Sequence, residues 1–326
     1  MLASRRCILA LPALAAAAGL ARAARAETYP DRAVTIVVGF SAGGSTDLVA
    51  RLIAQSLTDI LKQSFIVDNR AGAAGVVGFT SVARARPDGY TLLMGTNSTY
   101  VMAPFLYNNI PYSSDTAFTP ISLVGSNGQV LCVTPSLPVQ DIKGLIDYLK
   151  AHPSRVNFSS SGVAGTSHMA TELFMSMSGT EMTHVPYRGG GPAAQALMTG
   201  EIGVCFVDVA TAAPLVNDNK IRALGISSLQ RSSLLPNVPS INDSLPGFDS
   251  STDFALLAPA GAPEPILQQL HRALMAALAD PTLKTKLDQQ GVNVIGSTPA
   301  EFTTYRTREL QRWATIIRER NIRPPS

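Results

Sequence analysis

The run Val34-Thr-Ile-Val-Val-Gly-Phe-Ser-Ala-Gly-Gly-Ser-Thr-Asp47 limits what this chain can fold into more than any other stretch. Val34 to Phe40 is apolar, β-branched and of strand length, and a short Gly-rich turn follows. Leu48, Leu52, Ile53, Leu57, Ile60 and Leu61 then recur as the stripe of an amphipathic helix. The expected order is strand, tight turn, helix. Gly43 and Gly44 permit positive φ and put no Cβ between main chain and ligand. Ser45 or Thr46 is the expected helix cap. The other first-turn amides and the positive end of the dipole would face the turn, where they stabilise an anion. Asp47 complements the dipole but would repel an anion at close range; the alternative is that it ties the loop down. The stretch is neither G-x-x-x-x-G-K-[ST] nor G-x-G-x-x-G, so nucleotide-binding readings fail. A plain βα turn is the alternative to an anion site.

Residues 1–26 read as an export leader. Arg5-Arg6 begin it, Cys7 to Leu20 is an apolar run too short to span a bilayer, and Ala24-Arg25-Ala26 is a small-x-small cleavage signal before Glu27. Ser4-Arg5-Arg6 leaves the twin-arginine route open beside the general secretory one. An exported, periplasmic protein is expected. The leader holds four of the 26 Lys and Arg and no acid, so the remaining chain carries 22 basic against 23 acidic residues, a net of −1. Nothing in that balance points to nucleic acid or a membrane surface. Cys132 and Cys205 lie in apolar strand-like runs. Buried unpaired thiols are the simpler reading, and export leaves a disulfide possible.

Beyond the leader, about 300 residues suffice for two globular units. Strand-like and helical runs alternate, with strands at Phe65–Val67 and Tyr90–Met94 completing a β-α-β-α-β unit. A second unit begins near Ile121. It has strands at Val130–Val133, Asn157–Ser161, Thr183–Tyr187 and Gly203–Asp208, and helices at Ile142–Ala151 (capped by Asp141), Met169–Met177, Ala193–Met198 and Ala210–Val216. The chain then returns through Ile221–Ile226 and Phe254–Leu257 to a helix from Pro263 to Ala279. Thr298-Pro-Ala-Glu301 is a capping box for a last helix running to about Arg320 with the lone Trp313. The fold class is α/β: two lobes, each a mostly parallel sheet flanked by helices. Residues 27–123 and 225–326 would form one lobe and 124–224 the other, with a ligand cleft between them and a hinge near 121–126 and 221–227.

Ligands on such sheets bind at strand carboxyl ends. The turns at 41–47, 95–99, 160–168 and 187–192 are rich in Gly, Ser and Thr. They offer amides and hydroxyls, which suit orientation of carboxylate oxygens and not proton transfer. Among titratable groups, His168 with Glu172 one helical turn on is either a helix-start polar pair or two metal ligands, and two do not make a metal site. His184 reads as strand packing. Asp208, at a strand end, either caps the next helix or orients a ligand donor.

The chain resembles the solute receptors of tripartite tricarboxylate transporters, the Bug receptors. The resemblance is carried by Tyr29-Pro-Asp-Arg32, Phe40 to Asp47, Asp68-Asn-Arg-Ala-Gly-Ala-Ala-Gly75, Pro87-Asp-Gly-Tyr-Thr-Leu-Leu93, Ser159 to His168, His184-Val-Pro-Tyr187 and Leu257-Ala-Pro-Ala-Gly-Ala-Pro263. It implies an exported two-lobed receptor similar to the type II periplasmic binding fold. Such a protein is expected to be a monomer without catalytic activity, cofactor or metal. It would hold a small organic acid for membrane transporter subunits or a sensor protein. Carried over by position, the site is Ser41, Ala42, Gly43, Gly44, Ser45, Thr46 and Asp47, with Thr96 and Asn97 beside them. From the second lobe come Ser160, Ser161, Gly162, Thr166, Ser167 and His168, joined by Tyr187, Gly189 and Asp208. Gly162-Val-Ala-Gly-Thr-Ser167 and Val209-Ala-Thr211 depart from the family pattern where ligand choice is set. The alternatives are a sensing protein without a transport role and an exported enzyme using His168 or Asp208.

Overall fold

The computed structural model describes residues 29–107, 109–319 and 322. The leader expected at 1–26 and the helix end expected at Arg320 lie outside the described residues. β1 (Val34–Val38) buries Val34, Ile36, Val37 and Val38 completely. α1 (Ser45–Leu61) covers one face of it with Val49, Ala50, Ile53 and Leu57, the stripe its spacing predicts. β2 (Phe65–Asn69) pairs with β1 in parallel; a 3₁₀ turn (Ala73–Gly75) and α2 (Val76–Ala83) follow. β3 (Thr91–Thr96) pairs with β1 in parallel, and a π turn at Ser98–Met102 leads into the short α3 (Ala103–Leu106).

β4 (Phe118–Val133) is 16 residues long, about 50 Å of extended chain. Beyond it come α4 (Ile142–Ala151), β5 (Asn157–Ser160), α5 (Thr166–Ser178), β6 (Thr183–Pro186), α6 (Gly190–Thr199), β7 (Val204–Asp208), α7 (Val209–Asn217) and β8 (Arg222–Ile226). β9 (Ser251–Pro259), α8 (Glu264–Ala279), α9 (Pro281–Asp288), β10 (Asn293–Val294) and α10 (Pro299–Glu319) complete the order. Asp141 caps α4 by accepting from Gly144 N at 2.7 Å. Thr298 and Glu301 make the expected reciprocal box at the start of α10, which buries Trp313.

The ten strands form one curled mixed sheet, β2-β1-β3-β9-β4-β7-β5-β6, with β8 and β10 also on β4. The pairings at its two ends are parallel: β2, β1 and β3 at one, β7, β5 and β6 at the other. At the centre the ladders are antiparallel, because β4 and β9 run through it as long return strands. β4 belongs to both halves, pairing with β9 over residues 118–128 and with β7 and β8 over 129–133. The hinge was expected near residues 121–126. Those residues stay in register with β9, and partners change at Gly128 and Gln129. Four hydrogen bonds staple this point to the returning chain: Ser227 N to Gln129 O (2.7 Å), Gln129 N to Ser227 Oγ (2.8 Å), Ser227 Oγ to Ser250 O (2.5 Å) and Ser250 N to Ser227 O (2.9 Å). Cys132 and Cys205 stand opposite each other in the β4–β7 ladder, buried and unpaired.

Two of the sequence motifs meet at the rim of the first half. Tyr29 Oη donates to Gly89 O and Tyr90 Oη to Asp31, while Arg32 pairs with Asp88. The glycines of the motif ending at Gly75, and Gly78 just after it, let the backbone close on the exit of β1. A Cβ on Gly78 would lie 2.7 Å from the Gly39 Cα. Gly78→Ala should therefore cost about 1–3 kcal/mol, the usual cost of overpacking. Gly191→Ala, whose Cβ would meet nothing within 4 Å, should stay within about 0.5 kcal/mol of the parent. Urea unfolding midpoints of the two variants check the contrast.

Candidate binding site

Helices α1, α5 and α6 begin on glycine caps, Gly44, Gly165 and Gly189, with no side-chain cap bond. The expected cap at Ser45 or Thr46 is corrected: Gly44 holds that position in an extended conformation (φ −81°), and only Gly43 takes a positive φ, +84°. Leu48, Met169 and Ala193 are the first residues of these helices whose amides reach a carbonyl four residues back, on Gly44, Gly165 and Gly189. The amides of the residues between, apart from Pro192, which has none, lack an intrahelical acceptor. α7 begins at Asp208, in the cap position, but its carboxylate makes no cap bond. Its Oδ1 lies 3.5 Å from Gln129 Nε2, and the Ser45 hydroxyl of the other half is near enough to favour its charged form against the burial that raises its pKa. A Cβ on Gly190 would stand 3.9 Å from Asp208 Oδ2, and Gly189 N donates to Ser161 O at 3.0 Å. The starts of α1, α5, α6 and α7 are thus connected in one place.

Asp47 ties the first loop down. Its Oδ2 accepts from Gly43 N (2.9 Å) and from Arg51 Nε (3.0 Å), at 2 % exposure. Arg51 also reaches Asn69 Oδ1, and Asn69 Nδ2 donates to Phe40 O (3.0 Å), so the Asp68-Asn-Arg motif braces the loop from outside. Burial alone would raise the Asp47 pKa; the donors from Arg51, Gly43 and Asn69 outweigh it and hold the carboxyl below its ordinary range. Asp47 is therefore an anchor whose charge is already balanced. Ser41, Ala42 and Gly43 are exposed, while Gly44 and Ser45 are half-buried and Thr46 is buried.

Most of the expected hydroxyls are spent on shaping the loops. Thr96 Oγ1 bonds Ser98 Oγ (2.8 Å). The Asn97 amide donates to Asp253 and Ser251 O and accepts from Asp253 N, which pins the start of β9. Ser160 Oγ donates to Gly162 O and accepts from Gly162 N and His184 Nε2 (2.7 Å). Ser167 Oγ accepts from Ser161 N and pairs with Ser161 Oγ. The Tyr187 hydroxyl goes to Glu201, so it is not brought to the other groups. Thr166 Oγ1 accepts from Thr252 (2.9 Å) and lies 3.4 Å from Gln129 Nε2. Across the same gap Tyr107 Oη reaches Val163 O at 3.3 Å. What remains for a ligand is chiefly main-chain N–H groups.

His168 is structural: Nδ1 accepts from Ala164 N (3.0 Å), Nε2 faces Glu172 Oε1 (3.3 Å), and the ring stacks on His184 at 4.1 Å. His152 and His271 hold backbone carbonyls of Tyr148 and Ile121. Gly39-Phe-Ser-Ala-Gly43 also has the G-x-S-x-G spacing of a hydrolase nucleophile elbow. The geometry is not an elbow. Ser41 is absent from the residues with positive φ, α1 starts four residues later, and the four histidines are engaged as described. Gln129, Thr252 and Tyr107 are site neighbours that the sequence reading missed. For Gln129 the signal was the polar break Ser126-Asn-Gly-Gln129 inside an otherwise apolar strand.

A sequence model of the family described as "Tripartite tricarboxylate transporter family receptor" matches residues 49–322. The chain belongs to this family. It is 35 % identical over 306 residues to protein BugT of Bordetella pertussis, covering 93 % of this chain and 94 % of that one. Among solved structures it is similar to an R. palustris protein with adipate (33 % identity, TM-score 0.87, 91 % of this chain and 100 % of that one). It is also similar to MatC from Rhodopseudomonas palustris with bound malate (32 % identity, TM-score 0.83, 89 % and 100 %). Among the described residues of this receptor, no helix is long and apolar enough to cross a membrane.

His184 gives the receptor a test of how its second-half loop is held. Burial, with His168 beside it, drops the His184 pKa to about 3. The unfolded chain takes up that proton near pH 6.5, so folding stability falls as pH drops from about 6.5 towards 3. His184→Gln keeps the donor to Ser160 and removes the titration, so this part of the slope should vanish. Urea melts of parent and variant at pH 4.5 and 7.5 check it; equal slopes would contradict a ring held neutral.

Proposed function

We propose that this receptor works outside the cytoplasm, reached by cleavage of the leader near Ala26, and captures a small carboxylate-bearing solute between two lobes. Its partners are the membrane subunits of a tripartite tricarboxylate-type transporter, and it meets them as a monomer. The carrying observation is the joining of three glycine-capped helix starts and Asp208 across the halves, with first-turn amides left as the donors. Amides at helix starts favour a carboxylate by their orientation and by the dipole. The adipate and malate held by the two R. palustris relatives support the ligand class. Both ring nitrogens of His168 are engaged, which favours binding over acid–base turnover.

The lobes divide, in this reading, where β4 exchanges partners at Gly128 and Gln129 and where the chain returns between Ser227 and Ser250. Bending there closes the lobes over the solute. Closure withdraws the carboxylate from water, so each hydrogen bond to it strengthens as the local dielectric falls. Thr252–Thr166 and Tyr107–Val163, which already cross between the proposed lobes, are contacts that opening would break.

Thermal shift of the leaderless protein against mono-, di- and tricarboxylates, each beside its uncharged amide, tests the reading. At 100 times its dissociation constant a true ligand should add roughly 2.7 kcal/mol of stability, or about 5 °C. Its amide should add nothing. Equal shifts from an acid and its amide, or none from any acid, would count against a carboxylate receptor.

A further inference from the structure

Asn127 has no role in the site described so far, and its position is unusual. It is 0 % exposed, and neither Nδ2 nor Oδ1 has a hydrogen-bond partner among the described residues. Leaving a buried polar group unpaired costs about 1–3 kcal/mol, so a side chain with two such atoms is expected only where something else satisfies them. Its neighbours say where it points. In the β4–β9 ladder Asn127 stands directly opposite Thr252, so the two side chains share a sheet face. The Thr252 hydroxyl reaches Thr166 at the start of α5. Two residues along β4, Gln129 faces Thr166 and Asp208. Asn127 therefore adjoins the polar cluster that joins the two lobes, at the point where β4 passes from one to the other.

We infer that Asn127 is a specificity-determining residue that hydrogen-bonds a hydroxyl on the carbon chain of the bound acid, deepest in the cleft. An amide offers one donor group and one acceptor side by side. A hydroxyl both donates and accepts, so it satisfies both atoms; a methylene satisfies neither. Asp208 nearby, an acceptor when ionised, favours the same hydroxylated ligand and disfavours a second bare carboxylate at that depth. The inference rests on the carboxylate-receptor reading and adds a preference within it for hydroxy acids over their deoxy counterparts.

The test is calorimetric titration of parent and Asn127→Leu with matched pairs: malate and succinate, lactate and propionate, 2-hydroxyadipate and adipate. The parent should bind the hydroxylated member of its best pair about tenfold or more tightly. That ratio should fall to near one in Asn127→Leu, with the deoxy acid bound at least as well as by the parent. Should the leucine variant fail to fold, Asn127→Ala is read in the same way. A parent with no preference overturns the inference and leaves the receptor reading intact. So does a preference that survives substitution. An unchanged ratio together with an altered melting temperature of the ligand-free protein would assign Asn127 to a buried water only. Binding of none of these acids by the parent overturns the inference together with the reading it rests on.

Discussion

A glycine at the start of a helix leaves its first-turn amides without the side-chain acceptor that Ser, Thr, Asn or Asp would supply. Such caps are typically worth about 1 kcal/mol each. Here the three helices whose starts come together, on Gly44, Gly165 and Gly189, go without one, as does α2 on Gly75, and α7 starts at an aspartate turned elsewhere. Glycine keeps the approach free of a Cβ, so a carboxylate oxygen can come within hydrogen-bond distance of the main chain. The surrounding side chains follow from this arrangement. Asp47 clamps Gly43, Ser167 clamps Ser161, and His184 and Ser160 hold the turn at Gly162. They fix the loops, and with them the orientation of these amides. A preorganised neutral cradle avoids the cost of desolvating a buried cationic side chain, and it leaves ligand choice to the groups around the carboxylate.

The second constraint is mechanical. β4 serves both halves of one sheet, and the returning chain is stapled to it at Gln129, Ser227 and Ser250. Residues on either side of that point are held in ladders, so motion between the halves is confined to a few residues. The same residues would floor the proposed cleft. Gln129 touches Thr166 and Asp208, and Asn127 lies two residues away. In the proposed reading, bending and binding share this one short segment of chain, which would give a ligand a direct grip on the angle between the lobes.

Much of this was legible because the determinants are local. The Val34–Asp47 run, the alternating strands and helices, the cap at Asp141 and the box at Thr298–Glu301 are each written in adjacent residues and appear in the fold. The four turns were legible as Gly-, Ser- and Thr-rich. Which of their atoms stay free was not, since that depends on partners far along the chain. Asn97 is spent on residue 253, more than 150 positions away, and Tyr187 on Glu201. That Ser126-Asn-Gly-Gln129 continues the strand could not be seen locally; only pairing with two different sets of strands makes it part of β4. The G-x-S-x-G spacing at Gly39–Gly43 shows the converse. A motif carries chemistry only with its strained turn, and Ser41 lacks that conformation.

Amide hydrogen exchange with and without a verified acid addresses the site most directly. If the helix starts hold the carboxylate from both lobes, exchange should slow in peptides covering 41–48, 161–170 and 187–194 together. The surface groove lined by Phe105, Tyr112 and Leu310, whose volume is about 440 Å³, should be unaffected. Protection confined to one lobe, or centred on that groove, would contradict capture between facing helix starts.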